Sequence, residues 1–247
     1  MLSEKIVAIG ASSSIVISCL RRLTTQKSHC VLVGRDEVKL MAVKKDLISR
    51  TEATVDIFVA DLIDSGDHNR LVKEVVNKLG NIDLLLIGHG HLPNQQACEK
   101  NHHLTLDEIS INMLSTISLL TIFSNVFIEQ KQGSIAVIVS VAGDRGRQSN
   151  YVYGCAKSGL QAFLSGLRNR LYHQNIHVLT INPGFVNTPM TSNIEKSLLF
   201  VEPEVVAKDI CLALKNRKDI LYTPWFWRFI MQVIRNIPEF IFKRLKL

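Results

Sequence analysis

Seven short apolar runs recur along the chain, at 6–9, 30–33, 55–59, 84–87, 134–139, 178–181 and 220–222. They are rich in β-branched residues and too short for helices, so they read as strands of a parallel sheet buried on both faces. Longer segments with helical spacing separate them. Thr105-Leu106-Asp107-Glu108 has the spacing of a capping box and predicts a helix start. Pro203 is expected in the first turn of another helix. Strand followed by helix, repeated, predicts a Rossmann-type doubly wound α/β fold of about seven parallel strands with helices on both faces. Ligands on such sheets bind at the carboxyl ends of the strands, near the switch in strand order. The polar residues after each strand are therefore where chemistry is expected.

Composition narrows the picture. The 247 residues are 47% hydrophobic and 21% charged, enough for one full sheet between two helix layers and too apolar for disorder. No repeat, low-complexity run or linker divides them. We expect a catalytic domain over 1–223 and a basic amphipathic helical tail over 224–247. The five cysteines (Cys19, Cys30, Cys98, Cys155, Cys211) are odd in number, scattered and without a CxxC pair. That pattern suits reduced thiols in the cytoplasm, not a disulfide frame or a zinc site. Residues 1–5 lead straight into the first apolar run, with no signal-peptide pattern.

The net charge of +7 is unevenly spread, because the tail carries Arg228, Arg235, Lys243, Arg244 and Lys246 against Glu239 alone. A generally basic surface would suggest nucleic acid. A charge excess gathered in one apolar tail points instead to an anionic membrane surface, with no nucleic-acid partner.

The chemistry is concentrated in one stretch, Val139-Ser140-Val141-Ala142-Gly143 followed by Tyr153-Gly154-Cys155-Ala156-Lys157. Tyr153 and Lys157 share a helix face. A lysine ammonium there is expected to lower the tyrosine pKa, so that the phenol can pass a proton to a carbonyl oxygen receiving hydride. Ser140, at a strand end, can hydrogen-bond that oxygen as its negative charge builds.

In this serine and the YxxxK after it the chain resembles the short-chain dehydrogenase/reductase family, from about Lys5 to about Tyr222. The resemblance implies that Asn112 holds a proton-relay water. It implies that Asn182-Pro183-Gly184-Phe185-Val186-Asn187-Thr188 flanks the nicotinamide, through Pro183, Gly184, Val186 and Thr188, and that Asp61-Leu62 meets the adenine. It also implies a homodimer or homotetramer.

The cofactor loop departs from the family. Ile9-Gly10-Ala11-Ser12-Ser13-Ser14-Ile15-Val16 stands where the family has TGxxxGxG, and keeps only Gly10; Ser14 and Val16 replace the other glycines. Glycines there allow a tight turn and close approach to phosphate. Ser12, Ser13, Ser14 and Ile15 can still offer backbone N–H groups to a pyrophosphate at a helix N-terminus, while Val16 demands more room. After the second strand, Gly34-Arg35 replaces the acid of NAD-preferring members. An arginine suits a 2′-phosphate, so NADP(H) is expected over NAD(H), with Asp36 opening the next helix. The family's NNAG is replaced by Ile87-Gly88-His89-Gly90, which keeps Gly90 but neither asparagine, and Gly88 and Gly90 are expected at the cofactor. His89, His91, His102 and His103 lack a completing carboxylate or thiol, so no metal is expected.

In the tail, Pro238 should separate two short helices, and Arg228 and Arg235 make a poor transmembrane span. Trp225, Trp227 and the phenylalanines alternate with cations as in an interfacial helix. The same stripe would suit packing onto the protein's own core or a second subunit. The loop form and the tail also resemble bacterial reductases of polyprenyl-linked keto-sugars, the decaprenylphosphoryl 2-keto-pentose reductase type. That resemblance implies a lipid-linked ketone approached from the cytoplasmic leaflet. Residues 188–201, with Met190, Ile194, Leu198, Leu199 and Phe200, are expected to form part of an apolar substrate lid. The leading expectation is a reductase of a ketone, lipid-linked or otherwise hydrophobic, such as a 3-oxoacyl group. The alternative is a dinucleotide sensor or membrane-tethered protein with little turnover.

Overall fold

The computed structural model describes residues 4–245. Each predicted run is a strand: β1 (Lys5–Ile9), β2 (His29–Gly34), β3 (Thr54–Val59), β4 (Leu84–Ile87), β5 (Ser134–Ile138), β6 (His177–Pro183) and β7 (Ile220–Thr223). Between them lie α1 (Ser14–Leu23), α2 (Glu37–Thr51), α3 (His68–Leu79), α4 (Gln95–Lys100), α5 (His102–Ile109), α6 (Ser115–Gln130), α7 (Tyr151–Tyr172) and α8 (Pro203–Lys215), and the tail forms α9 (Trp227–Asn236) and α10 (Glu239–Phe242). The strands form one sheet of order β3-β2-β1-β4-β5-β6-β7, all of whose pairings are parallel. The order reverses at β1, where Ile9 pairs with Val33 on one side and Ile87 on the other. That register brings Gly10, Gly34 and Gly88 to a single edge.

Side chains alternate across the sheet, as the strand period requires. Val7, Ile9, Val31, Val33, Leu85 and Ile87 face one layer, built from α3, α6 and α7 through residues such as Leu71, Phe123, Phe127 and Leu164. Ile6, Ala8, Cys30, Leu32, Leu84 and Leu86 face the other, built from α1, α2 and α8 through Val16, Leu20, Leu40, Leu47 and Ile210. Residues His102–Gln130 run on as one helix long and apolar enough to cross a membrane, but Leu119, Leu120, Phe123 and Phe127 lie in the core.

Pro203 opens α8 and Asp36 caps α2 by accepting the Lys39 N–H, both as expected. The expected start at Thr105 is wrong. The helix begins at His102, because the Asn101 side chain accepts the N–H groups of His103 and Leu104. Thr105 lies inside the first turns, where its hydroxyl donates to the Cys98 carbonyl at 2.9 Å. Glu108, the supposed partner of the box, is buried and bonded elsewhere. Between α5 and α6 the helix widens into a π turn, Ser110–Leu114, which carries Asn112.

The tail returns to the domain. Trp227 and Met231 of α9 are buried against Val141, with Phe185, Tyr222, Phe226, Ile230 and Ile234 around them. Pro238 separates α9 from α10. Arg145 ties down this junction: its guanidinium donates to the Ile234 and Ile237 carbonyls at 2.7 and 2.6 Å and to Glu239 at 2.8 Å, and it sits 3.6 Å from the Phe242 ring centre. The carbonyls at a helix end need such a donor. The other face of the tail is open, with Trp225, Phe229, Val233 and Phe240 each more than 60% exposed.

Candidate active site

The loops at the carboxyl edge of the sheet enclose a cleft of about 530 Å³. Ser140 follows β5 and projects into it, its Oγ accepting the Ala142 N–H at 3.1 Å. Tyr153 and Lys157, one turn apart on α7, line the same wall. Gly143 and Gly154 let this loop sit on α7: a Cβ on Gly143 would lie 2.7 Å from the Lys157 backbone, and one on Gly154 would lie 3.0 Å from the Ala142 carbonyl.

The protonation of the pair differs from the sequence expectation. Tyr153 is not lowered; burial pushes it up to about 12, and only its hydrogen bond with Ser140 opposes this. Burial also pushes Lys157 down to about 8, and its ammonium stands 5.4 Å from the centre of the Tyr153 ring. Taking both groups out of water disfavours both charged forms. The phenol therefore keeps its proton at neutral pH.

Asn112 lies behind this wall, not in it. Its Oδ1 accepts the His91 N–H at 2.9 Å, and its amide donates to the Glu108 carbonyl at 3.0 Å. A Cβ on Gly90 (φ +152°) would lie 2.9 Å from Asn112 Oδ1 and 3.4 Å from Lys157 Nζ. Gly90 thus leaves the space that joins the asparagine to the lysine.

The half of the cleft toward β1 and β2 is lined by Gly10, Ser12, Ser13, Ser14, Ile15, Arg35, Asp61, Leu62 and Gly88, all expected at the dinucleotide. Gly10 has φ +73°, and a Cβ there would lie 2.5 Å from the His89 backbone, so no other residue fits. Ser13 caps α1 by position but without a side-chain hydrogen bond, which leaves the first N–H groups of the helix for an anion. Val16 does not narrow the cradle. It is fully buried and fills the space where Gly88 lacks a side chain, its Cγ2 only 2.4 Å from where that Cβ would be. The worn glycine of one loop is matched by a new glycine in the other, so the donor set still suits a pyrophosphate. Pro183, Gly184, Val186 and Thr188, expected beside the nicotinamide, line the other end of the cleft, and Met190 and Ile194 of the expected lid continue from them.

Other residues of the cleft were given no site role by the sequence; His89 and His91 were weighed only as metal ligands. His89 is enclosed: Nε2 meets the Ser115 and Thr116 hydroxyls at 2.8 and 3.3 Å, Nδ1 is buried without a partner, and burial, then Lys157, push its pKa down to about 3. His91 meets the buried Glu108 carboxylate at 2.9 Å. Arg147 and Asn150 come from the loop between Ser140 and Tyr153; their place in that interval was the available signal. Among the described residues no cluster of three His, Cys, Asp or Glu side chains could hold a metal ion.

Comparisons with known proteins bear on the family and the fold. The short chain dehydrogenase family profile matches residues 4–198. An uncharacterized oxidoreductase of Mycobacterium tuberculosis is 32% identical over 240 residues, covering 97% of this chain and 96% of its own length. Carbonyl reductase family member 4 of Xenopus laevis is 28% identical, covering 74% of this chain and 87% of its own. Among solved structures, an actinorhodin polyketide ketoreductase with NADPH is similar at TM-score 0.81 and 22% identity, covering 91% of this chain and 97% of its own. A short chain dehydrogenase from Burkholderia cenocepacia in complex with NADP is similar at TM-score 0.81 and 18% identity, with coverage of 98% and 97%.

Proposed function

The chain belongs to the short-chain dehydrogenase family of oxidoreductases, and from that premise we propose that it is an NADPH-dependent reductase converting a ketone to a secondary alcohol. The observation that carries this reading is the convergence of Ser140, Tyr153 and Lys157 on one wall of the cleft. The reduced nicotinamide, when bound, supplies the hydride. The protein's own part is to hold and protonate the ketone oxygen. Ser140 donates a hydrogen bond to that oxygen as charge develops on it. Tyr153, kept neutral by burial, transfers its phenolic proton there. Lys157 offsets the negative charge left on Tyr153, and Asn112, beyond Gly90, supports the return of a proton. Gly10, Ser12, Ser13, Ser14 and Ile15 would hold the pyrophosphate, Asp61 and Leu62 the adenine end, and Arg35 a 2′-phosphate. The solved relatives with NADPH and NADP support the choice of nucleotide.

The open face of the tail favours a hydrophobic or lipid-linked ketone at a membrane surface, because Phe185 of the cleft packs edge-on against Trp227 of α9. The sensor reading rests on the worn glycine loop and the missing NNAG, and Val16 packed into the space that Gly88 leaves weakens that support.

The test is oxidation of NADPH and NADH across a ketone panel. We expect higher kcat/KM with NADPH, a loss of at least about 100-fold in Tyr153→Phe with the NADPH Kd unchanged, and a roughly tenfold smaller NADPH preference in Arg35→Ser. Better kcat/KM with NADH would overturn the cofactor assignment. Cofactor binding with no turnover of any ketone would favour the sensor.

A further inference from the structure

The segment Asp144-Arg145-Gly146-Arg147 places two arginines side by side with opposite fates. Arg145 is spent on structure, bonded to the carbonyls and carboxylate of the tail. The Arg147 carbonyl accepts the Asn150 N–H at 3.0 Å, but its side chain makes no hydrogen bond and no ion pair among the described residues, and its Nε is buried without a partner. The nearest carboxylate, Asp144, is occupied by the Gln161 amide at 2.8 Å and the Tyr222 hydroxyl at 2.9 Å. Glu108, the other carboxylate near this end of the cleft, is held by His91 and Asn112. Asn150, three residues on, has a buried Oδ1 that is also unpartnered. Both line the cleft beside Tyr153. A half-buried guanidinium without a directly bonded anion is costly; burial pushes Arg147 down from its ordinary value, opposed only in part by the nearby charge of Asp144. Two residues that line one cavity thus each carry a buried polar atom that no neighbour satisfies, which a structural role does not explain.

We propose that Arg147 is the anchor for an anionic group, a phosphate or carboxylate, on the ketone substrate, and that Asn150 accepts a hydrogen bond from a hydroxyl of the same molecule. This rests on the reductase reading and names its substrate class: an anionic, hydroxylated ketone. The site is separate from the cofactor's phosphates, whose donors come from the loops after β1 and β2, whereas Arg147 comes from the loop after β5. The anion can belong to a soluble metabolite or to a lipid headgroup.

The first arm of the test needs no turnover. NADPH-saturated protein is titrated with n-butyl phosphate and, in detergent, with farnesyl phosphate, followed through the fluorescence of bound NADPH. Wild type should bind. Arg147→Gln should weaken binding by at least about tenfold, Arg147→Lys should retain part of it, and the NADPH Kd should stay the same in both. Tighter binding of farnesyl phosphate marks a lipid source; equal binding marks a soluble one. Equal affinity in wild type and Arg147→Gln, or no binding by wild type, overturns the proposal. The second arm compares matched neutral and phosphorylated ketones. We expect Arg147→Gln to raise KM for the phosphorylated member alone, with kcat little changed, and an equal loss on both members overturns the anchor. Arg147-dependent phosphate binding without turnover of any ketone would defeat the reductase reading and leave the anion site standing. Turnover with no dependence on anion or Arg147 would do the reverse. Unchanged melting temperatures of the variants guard against misfolding.

Discussion

At the scale of single residues, the departures from the family pattern are paired. Val16 stands where a glycine is usual, and Gly88 stands where its side chain would be. Gly88→Ala should therefore destabilise the protein by about 1–3 kcal/mol through overpacking. Combined with Val16→Ala it should cost less than the sum of the two changes, by at least about 0.5 kcal/mol in a denaturant double-mutant cycle. Additive costs would mean that the two residues do not share the space. His89 makes a second prediction. Its pKa is about 3 in the fold against 6.5 for the free ring, so between those values the unfolded chain binds a proton that the folded protein refuses. Its contribution is fully present above about pH 6.5 and is lost as pH falls toward 3, about 2 kcal/mol of it between pH 7 and 5. His89→Gln should flatten that part of the stability profile in denaturant melts. His68 and His177, also pushed down by burial, would leave a residual slope. The identities of Ser140, Tyr153 and Lys157 were legible in the chain because their spacing is fixed by one strand end and one helix. The protonation of Tyr153 was not, because desolvation depends on what closes over it.

At the scale of elements, all seven strands followed from short β-branched runs, since burial on both faces leaves so direct a trace. Helix boundaries were less legible. Thr105 and Glu108 had capping spacing, yet Asn101 starts the helix and Glu108 turns inward to His91 and Asn112. Local spacing cannot tell which of two caps the tertiary fold will use. The π turn over Ser110–Leu114 likewise has no local signature; it places Asn112 beneath Gly90 as π segments often do at functional sites. The junction of α9 and α10 depends on Arg145, which no pattern in the tail announces. Arg145→Ala should speed amide hydrogen exchange over 234–245 by at least about tenfold while leaving β1 to β6 protected. Unchanged exchange there would mean that Trp227 and Met231 hold the tail without the clamp.

At the scale of the whole molecule, the tail has two faces. Trp227 and Met231 are buried against the domain, while Trp225, Phe229 and Val233 form an exposed stripe, with Trp225 edge-on to Phe229. Cutting the tail would expose the core under Trp227, so the membrane proposal is better tested by changing the open face. Flotation with anionic liposomes should recover wild type, and a Trp225→Ser, Phe229→Ser, Val233→Ser variant should float at least about fivefold less with its melting temperature unchanged. Equal flotation of the two would remove the membrane contact. The sequence by itself determined the layered α/β fold, the family, and the serine, tyrosine and lysine that meet in one cleft, because strand burial and helix periodicity are local and the YxxxK spacing travels with its helix. Only the tertiary structure decided that Val16 fits through Gly88, that burial keeps Tyr153 protonated, that one face of the tail belongs to the core, and that the Arg147 side chain has no partner among the described residues. Each of these depends on which distant segments meet across the carboxyl edge of the sheet.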